Sequence, residues 1–194
     1  MEWREHKKVE EYITVSEAQT IIRECKRERD RLIIRVMWET GARINEANKL
    51  TPDRIDKDNN CLILPNLKQK EFRLKRVYLF PESTLCQDLL DFSHGNDLLF
   101  TNRQGKPLTE LYVWRLLCRE GKGICYVNRI LKIKRGAYKP AWPHLLRHGA
   151  GMNMLRRTGR LDVVQEQLGH STIVTTQIYA QVSDEDRKNI ISST

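Results

Sequence analysis

The sequence has no apolar run near the roughly 20 residues that a helix needs to cross a bilayer. Its first residues, Met1-Glu2-Trp3-Arg4-Glu5-His6-Lys7-Lys8, mix charges of both signs where a signal peptide builds an apolar stretch. Export and anchoring are therefore not expected, and the protein is placed in the cytoplasm. Cys25, Cys61, Cys86, Cys118 and Cys125 make an odd set with no C-x-x-C pair and no Cys/His spacing that suits zinc. They read as reduced, mostly buried thiols, and no metal site is expected. Internal repeats and low-complexity linkers are also missing, so the 194 residues are read as one domain. Acidic residues fall short: 25 Asp+Glu against 34 Lys+Arg leave a net charge of +9, which favours a polyanionic partner, nucleic acid foremost.

What is present builds helices around a small sheet. Thr14-Val15-Ser16-Glu17 is a capping box, and Ala18, Ile21 and Ile22 follow at helical spacing, predicting a helix to about Lys26. Leu32, Ile33, Val36 and Met37 form the stripe of a second helix ended by Gly41, and a short helix from Arg43 to Leu50 stops at Thr51-Pro52. Asp58-Asn59-Asn60 is a turn between an extended stretch ending near Asp56 and the strand Cys61-Leu62-Ile63-Leu64. Phe72 to Phe80 reads as the next strand, with the polar loop Asn66 to Glu71 between them. Helices are expected at about Ser83–Phe92 and Leu108–Glu120, and the region from Gly121 to Pro140 has no readable pattern. The fold class is mainly α with a small antiparallel three-stranded sheet, an α+β arrangement.

The last fifty residues hold the chemistry. Pro143-His144-Leu145-Leu146-Arg147-His148 precedes Leu168-Gly169-His170-Ser171 and then Thr176-Gln177-Ile178-Tyr179-Ala180. Attack on a phosphodiester spreads charge over the non-bridging oxygens, and donors fixed in advance stabilise it. Arg43 and Arg147 suit that task because a guanidinium is planar, permanently charged and able to contact two oxygens. Tyr179 is the candidate nucleophile; its ordinary pKa of about 10 calls for a base or a cationic pocket. His144 is placed to help and His170 to orient a phosphate oxygen. A leaving alkoxide needs a proton, and a loop lysine whose pKa is lowered by neighbouring cations can supply it. Lys68 is the candidate, with Lys70 as reserve. Taken singly, each residue has a plainer reading as a solvated or capping side chain; their order along the chain is what gives them weight.

That set resembles the catalytic domain of the tyrosine recombinases, the family of phage integrases, Xer-type recombinases and related mobile-element enzymes. The matching segments are Glu39-Thr40-Gly41-Ala42-Arg43-Ile44-Asn45-Glu46-Ala47, the Lys68 hairpin, Pro143 to His148, and Leu161 through Tyr179. The resemblance implies that Arg43 and Arg147 clamp the scissile phosphate, Lys68 is general acid on the 5′ oxygen, and His144 assists proton transfer. It further implies that His170 hydrogen-bonds the phosphate and that Tyr179 forms a 3′-phosphotyrosyl link. Glu46 is implied as a structural acid beside Arg43, and His148 as a packing residue. No metal or nucleotide cofactor is implied. Where the family usually has an acidic residue after the first histidine, Leu145 stands here. Family members usually carry an N-terminal helical core-binding domain, whereas this chain begins almost directly at the catalytic domain, with residues 1–13 as lead-in and 183–194 as tail.

The expected partner is double-stranded DNA, met as a homotetramer, with the free protein a monomer or weak dimer. Phosphate contacts are assigned to Lys70, Arg73, Lys75 and Arg76 on the hairpin and to Arg129, Lys132, Lys134, Arg135 and Lys139. Binding by this chain alone is expected to be weak, salt-sensitive and poorly selective. Two alternatives stay open: a DNA-binding module of the same fold that is inactive without a partner domain, and a relaxing enzyme of the type IB topoisomerase kind.

Overall fold

A computed structural model of the chain describes residues 12–66, 73–93, 97–118 and 143–169. Its first helix, α1 (Val15–Glu24), starts at the expected capping box: the Thr14 amide donates to Glu17 Oε2 at 2.9 Å and the Glu17 amide to Thr14 Oγ1 at 3.3 Å. The helix α2 (Glu28–Thr40) is the centre of the molecule, with Leu32, Ile33, Ile34, Val36 and Met37 all buried. Burying a side chain of this size contributes about 1.5–3 kcal/mol, so this one helix anchors much of the core. Its end is set by Gly41, at φ 65°.

The next helix, α3 (Ile44–Ala47), is shorter than the sequence suggests. It ends before Pro52 is reached: the Leu50 amide closes a local turn on the Ala47 carbonyl at 3.1 Å, and the buried Asn48 side chain donates across the fold to the Leu108 carbonyl at 2.9 Å. A 3₁₀ turn at Pro52–Arg54 leads into an antiparallel sheet of order β1 (Ile55–Asp56), β2 (Cys61–Asn66), β3 (Arg73–Tyr78). Cys61 lies opposite Tyr78 and Asn66 opposite Arg73. Pro65 is tolerated in the central strand because β1 pairs only with Cys61 and Leu62, so β2 has a neighbour on one side there. The sheet packs Leu62, Leu64 and Val77 into the core.

Two helices, α4 (Leu85–Ser93) and α5 (Glu110–Cys118), close the first part of the described chain, near their expected positions. Then α6 (Pro143–Thr158) crosses α2, with Leu146 and Ala150 in the main core. Gly149 makes that crossing possible: a Cβ there would come within 2.1 Å of the Ile13 carbonyl oxygen and 2.7 Å of Trp38. The last described helix, α7 (Leu161–Leu168), docks Val164 and Leu168 beside Met152, Met154 and Leu155 of α6. Among the described residues the architecture is mainly helical with this three-stranded antiparallel sheet, as the sequence predicts. No described helix is long and apolar enough to cross a membrane.

Candidate active site

The end of α2, the start of α3, the strand β3, the helix α6 and the end of α7 meet around one buried carboxylate, Glu46. Its side chain has no solvent exposure. As the third residue of α3 it reaches back to the residue preceding the helix, accepting the Arg43 amide at 3.0 Å, a local reason for the acid at this spacing. Arg43 Nη1 also donates to Glu46 Oε1 at 2.9 Å. Arg147 Nη1 stands 3.9 Å from Glu46 Oε2, and Lys75 Nζ 3.5 Å from the same oxygen. Three cations thus surround one anion in a poorly solvated place, leaving a surplus of positive charge that suits an anionic ligand.

Arg147 is itself locked by backbone. Its Nη1 donates to the Gly41 carbonyl, and its Nη2 to the Leu168 carbonyl at 2.6 Å. Both carbonyls lie at helix C-termini, where the last oxygens lack intrahelical partners and the helix dipole is negative, so a cation is well placed to satisfy them. Glycine is required beside each. A Cβ on Gly41 would stand 2.3 Å from Leu168 Cδ2, and both Gly41 and Gly169 have φ 65°. The tight turn after α2 therefore lets α7 close over it and brings both carbonyls within reach of one guanidinium.

Lys75 is turned inward. Only 11% of its side chain is exposed, against 57% for Arg76 beside it. The reason is strand parity: Lys75 and Val77 share a face of β3, and Val77 is in the core. Its Nζ donates to the Leu168 carbonyl at 3.3 Å and to that of Gln167 at 3.4 Å. Burial pushes its pKa down to about 8; the nearby Arg147 and Arg43 act in the same direction, while Glu46 opposes them. This lysine was assigned from sequence to DNA phosphates with the rest of the hairpin, but its amino group is held inside the cluster. The signal that would have found it is its even spacing from Val77.

Arg43, Lys75 and Arg147, drawn from opposite ends of the sequence, are therefore brought together. His144 lies on the first turn of α6, exposed and one turn before Arg147. His148, one residue after Arg147, is partly buried. Arg73 and Arg76 are exposed on β3, with Arg76 Nη1 3.9 Å from Asp56. Lys68, Lys70, Arg129, Lys132, Lys134, Arg135, Lys139, His170 and Tyr179 lie outside the described residues.

A family model described as the phage integrase family matches residues 11–186. The tyrosine recombinase XerA of Saccharolobus solfataricus is 31% identical over 173 residues, 88% of this chain and 52% of that protein. XerC of Herpetosiphon aurantiacus is 33% identical over 164 residues, 81% of this chain and 49% of that protein. Among solved structures, the XerH site-specific recombinase bound to its difH substrate before cleavage matches with a TM-score of 0.65 and 25% identity, covering 91% of this chain and 51% of that one. The XerA recombinase crystal structure matches with a TM-score of 0.68 and 24% identity over 94% of this chain and 64% of that one, a likeness of fold. The chain spans about half the length of the relatives it matches.

Proposed function

Because the chain belongs to the phage integrase family, whose model covers residues 11–186, we propose that it carries the strand-cutting chemistry of a site-specific DNA recombinase. The observation that supports this most is the convergence of Arg43 and Arg147 on Glu46, with Arg147 pinned by two helix-terminal carbonyls. A guanidinium pair fixed before substrate arrives is what a phosphoryl transition state rewards, each donor being worth about 10²–10³ in rate if an oxyanion-hole donor is a fair guide.

In this reading Tyr179 Oη attacks a backbone phosphorus of duplex DNA and its phenolic proton passes to His144. The bond from phosphorus to the 5′ oxygen breaks, Lys68 or Lys70 gives that oxygen a proton, and the 3′ phosphate stays esterified to the tyrosine. His170 donates to a phosphate oxygen. Attack by a 5′-hydroxyl from a second strand reverses each bond change, so the phosphotyrosine conserves the bond energy and no external energy source is used. Exchange between two duplexes calls for four copies on DNA, hence the homotetramer. Neither a metal nor a nucleotide takes part, so chelator leaves the rate unchanged.

The test is to incubate the chain with a nicked suicide DNA substrate and resolve covalent adduct by denaturing gel. Adduct is expected with the natural sequence and none with Tyr179→Phe; adduct that persists in the variant removes Tyr179 from the role of nucleophile. Binding without adduct would favour the inactive DNA-binding module.

A further inference from the structure

The junction between β3 and the end of α7 does more than cover the core. The Gln167 side chain closes on the backbone of Tyr78 from both sides, its Oε1 accepting the Tyr78 amide at 3.2 Å and its Nε2 donating to the Tyr78 carbonyl at 3.3 Å. Three residues back along the strand, Lys75 donates to the carbonyls of Gln167 and Leu168. The Leu168 carbonyl thus accepts two cations at once, Lys75 Nζ at 3.3 Å and Arg147 Nη2 at 2.6 Å, one for each lone pair. Glu46 Oε2 is the anion that the same two cations share, as ion pairs at 3.5 Å to Lys75 Nζ and 3.9 Å to Arg147 Nη1.

Lys75 therefore stands between two groups that fix Arg147. With Glu46 Oε2, Leu168 and Gln167 as its three acceptors, its three N–H donors are matched in number, and none is left over for a departing oxygen or a DNA phosphate. That count separates Lys75 from a general acid and from a surface phosphate contact. The space beside Gly169 tells the same: a Cβ there would stand 3.4 Å from Lys75 Nζ, so the ammonium sits directly under the turn that leads into His170.

We propose that Lys75 is a positioning residue: it ties strand β3 to the C-terminal carbonyls of α7 and to Glu46, and so holds Arg147 and the Gly169 turn in register for the reaction. The effect on rate rests on the recombinase reading above; the effect on the α7 terminus does not. Without Lys75, the Leu168 carbonyl keeps only Arg147, Glu46 loses one of its three cations, and the end of α7 loosens from the sheet. With Arg43 and Arg147 as its remaining cations, Glu46 then draws Arg147 toward itself and away from a phosphate.

The experiment uses the full chain with Lys75→Met, which keeps the length of the side chain without the charge, and Lys75→Arg, which keeps the charge and the donors. Backbone hydrogen exchange is read on peptides covering 161–169, and adduct formation at saturating suicide DNA is read alongside the DNA Kd. Lys75→Met is expected to speed exchange of the α7 terminus at least fivefold with α2 unchanged. It should also slow adduct formation at least tenfold while Kd moves less than threefold, and Lys75→Arg should restore both to within about threefold of the natural protein. Unaltered exchange at α7, exchange that rises equally in α2, or a loss confined to Kd would each overturn the proposal. If the natural chain makes no adduct yet Lys75→Met loosens α7 alone, the nucleophile reading fails and the positioning role stands.

Discussion

At the scale of the residue, Arg147 shows why the site needs a guanidinium and not simply a positive charge. Its two terminal nitrogens reach carbonyls at the ends of two different helices, Gly41 of α2 and Leu168 of α7. An ammonium is a compact point charge and cannot span that fork. Arg147→Lys should therefore lower the rate of adduct formation at saturating DNA by about 10²–10³-fold, the range of a lost oxyanion-hole donor. A rate within threefold of the natural protein would show that charge alone suffices.

Lys75 makes a second prediction at this scale, in stability. Its pKa falls from an ordinary 10.5 to about 8 in the folded chain, chiefly through burial. Between those two values the unfolded state binds more protons than the folded one, so this residue adds stability as pH rises through the window. Below about pH 8 the folded protein bears the full cost of a buried charge. Urea unfolding at pH 7.5, 8.5 and 9.5 should show the natural protein gaining on Lys75→Arg, by at most about 1.4 kcal/mol per pH unit. Parallel pH profiles for the two proteins would contradict the shift.

At the scale of the element, the turn after α2 carries the design. Gly41 combines a left-handed backbone with the close approach of Leu168, and its carbonyl holds Arg147. Gly41→Ala should cost about 2–4 kcal/mol, from the left-handed conformation and from overpacking against α7. Denaturant unfolding measures it, and a change below about 0.5 kcal/mol would mean that α7 yields freely. Much of the fold is legible in the sequence: the capping box at Thr14, the glycine stop at Gly41 and the three-strand sheet all depend on local chemistry. Other features were not. The helix from Arg43 was expected to run to Leu50, but it ends at Ala47 because Asn48 is drawn to the Leu108 carbonyl, a contact no local pattern announces. Lys75 was grouped with the surface cations because its charge outweighed its parity with Val77. Residue type and order single out Arg43 and Arg147 as candidates; their meeting at Glu46 is a property of the packed chain.

At the scale of the molecule, the net charge of +9 and the exposed cations of β3 favour a polyanionic ligand, with Lys75 withdrawn from the surface. If Arg76 meets a phosphate, Arg76→Gln lowers the slope of log affinity against log salt by about 0.9, the value for one phosphate on duplex DNA. Lys75→Met leaves that slope unchanged. Filter-binding titrations from 50 to 200 mM salt would separate the two, and equal slopes for natural and Arg76→Gln proteins would remove Arg76 from the interface.

The central claim is that a cationic cluster assembled around Glu46 serves a covalent attack by Tyr179. It is tested most directly by trimming the adduct with nuclease, digesting the protein and locating the nucleotide remnant by mass spectrometry. A phosphate-linked remnant is expected on Tyr179. A remnant on Tyr78, Tyr112 or any other residue would contradict it.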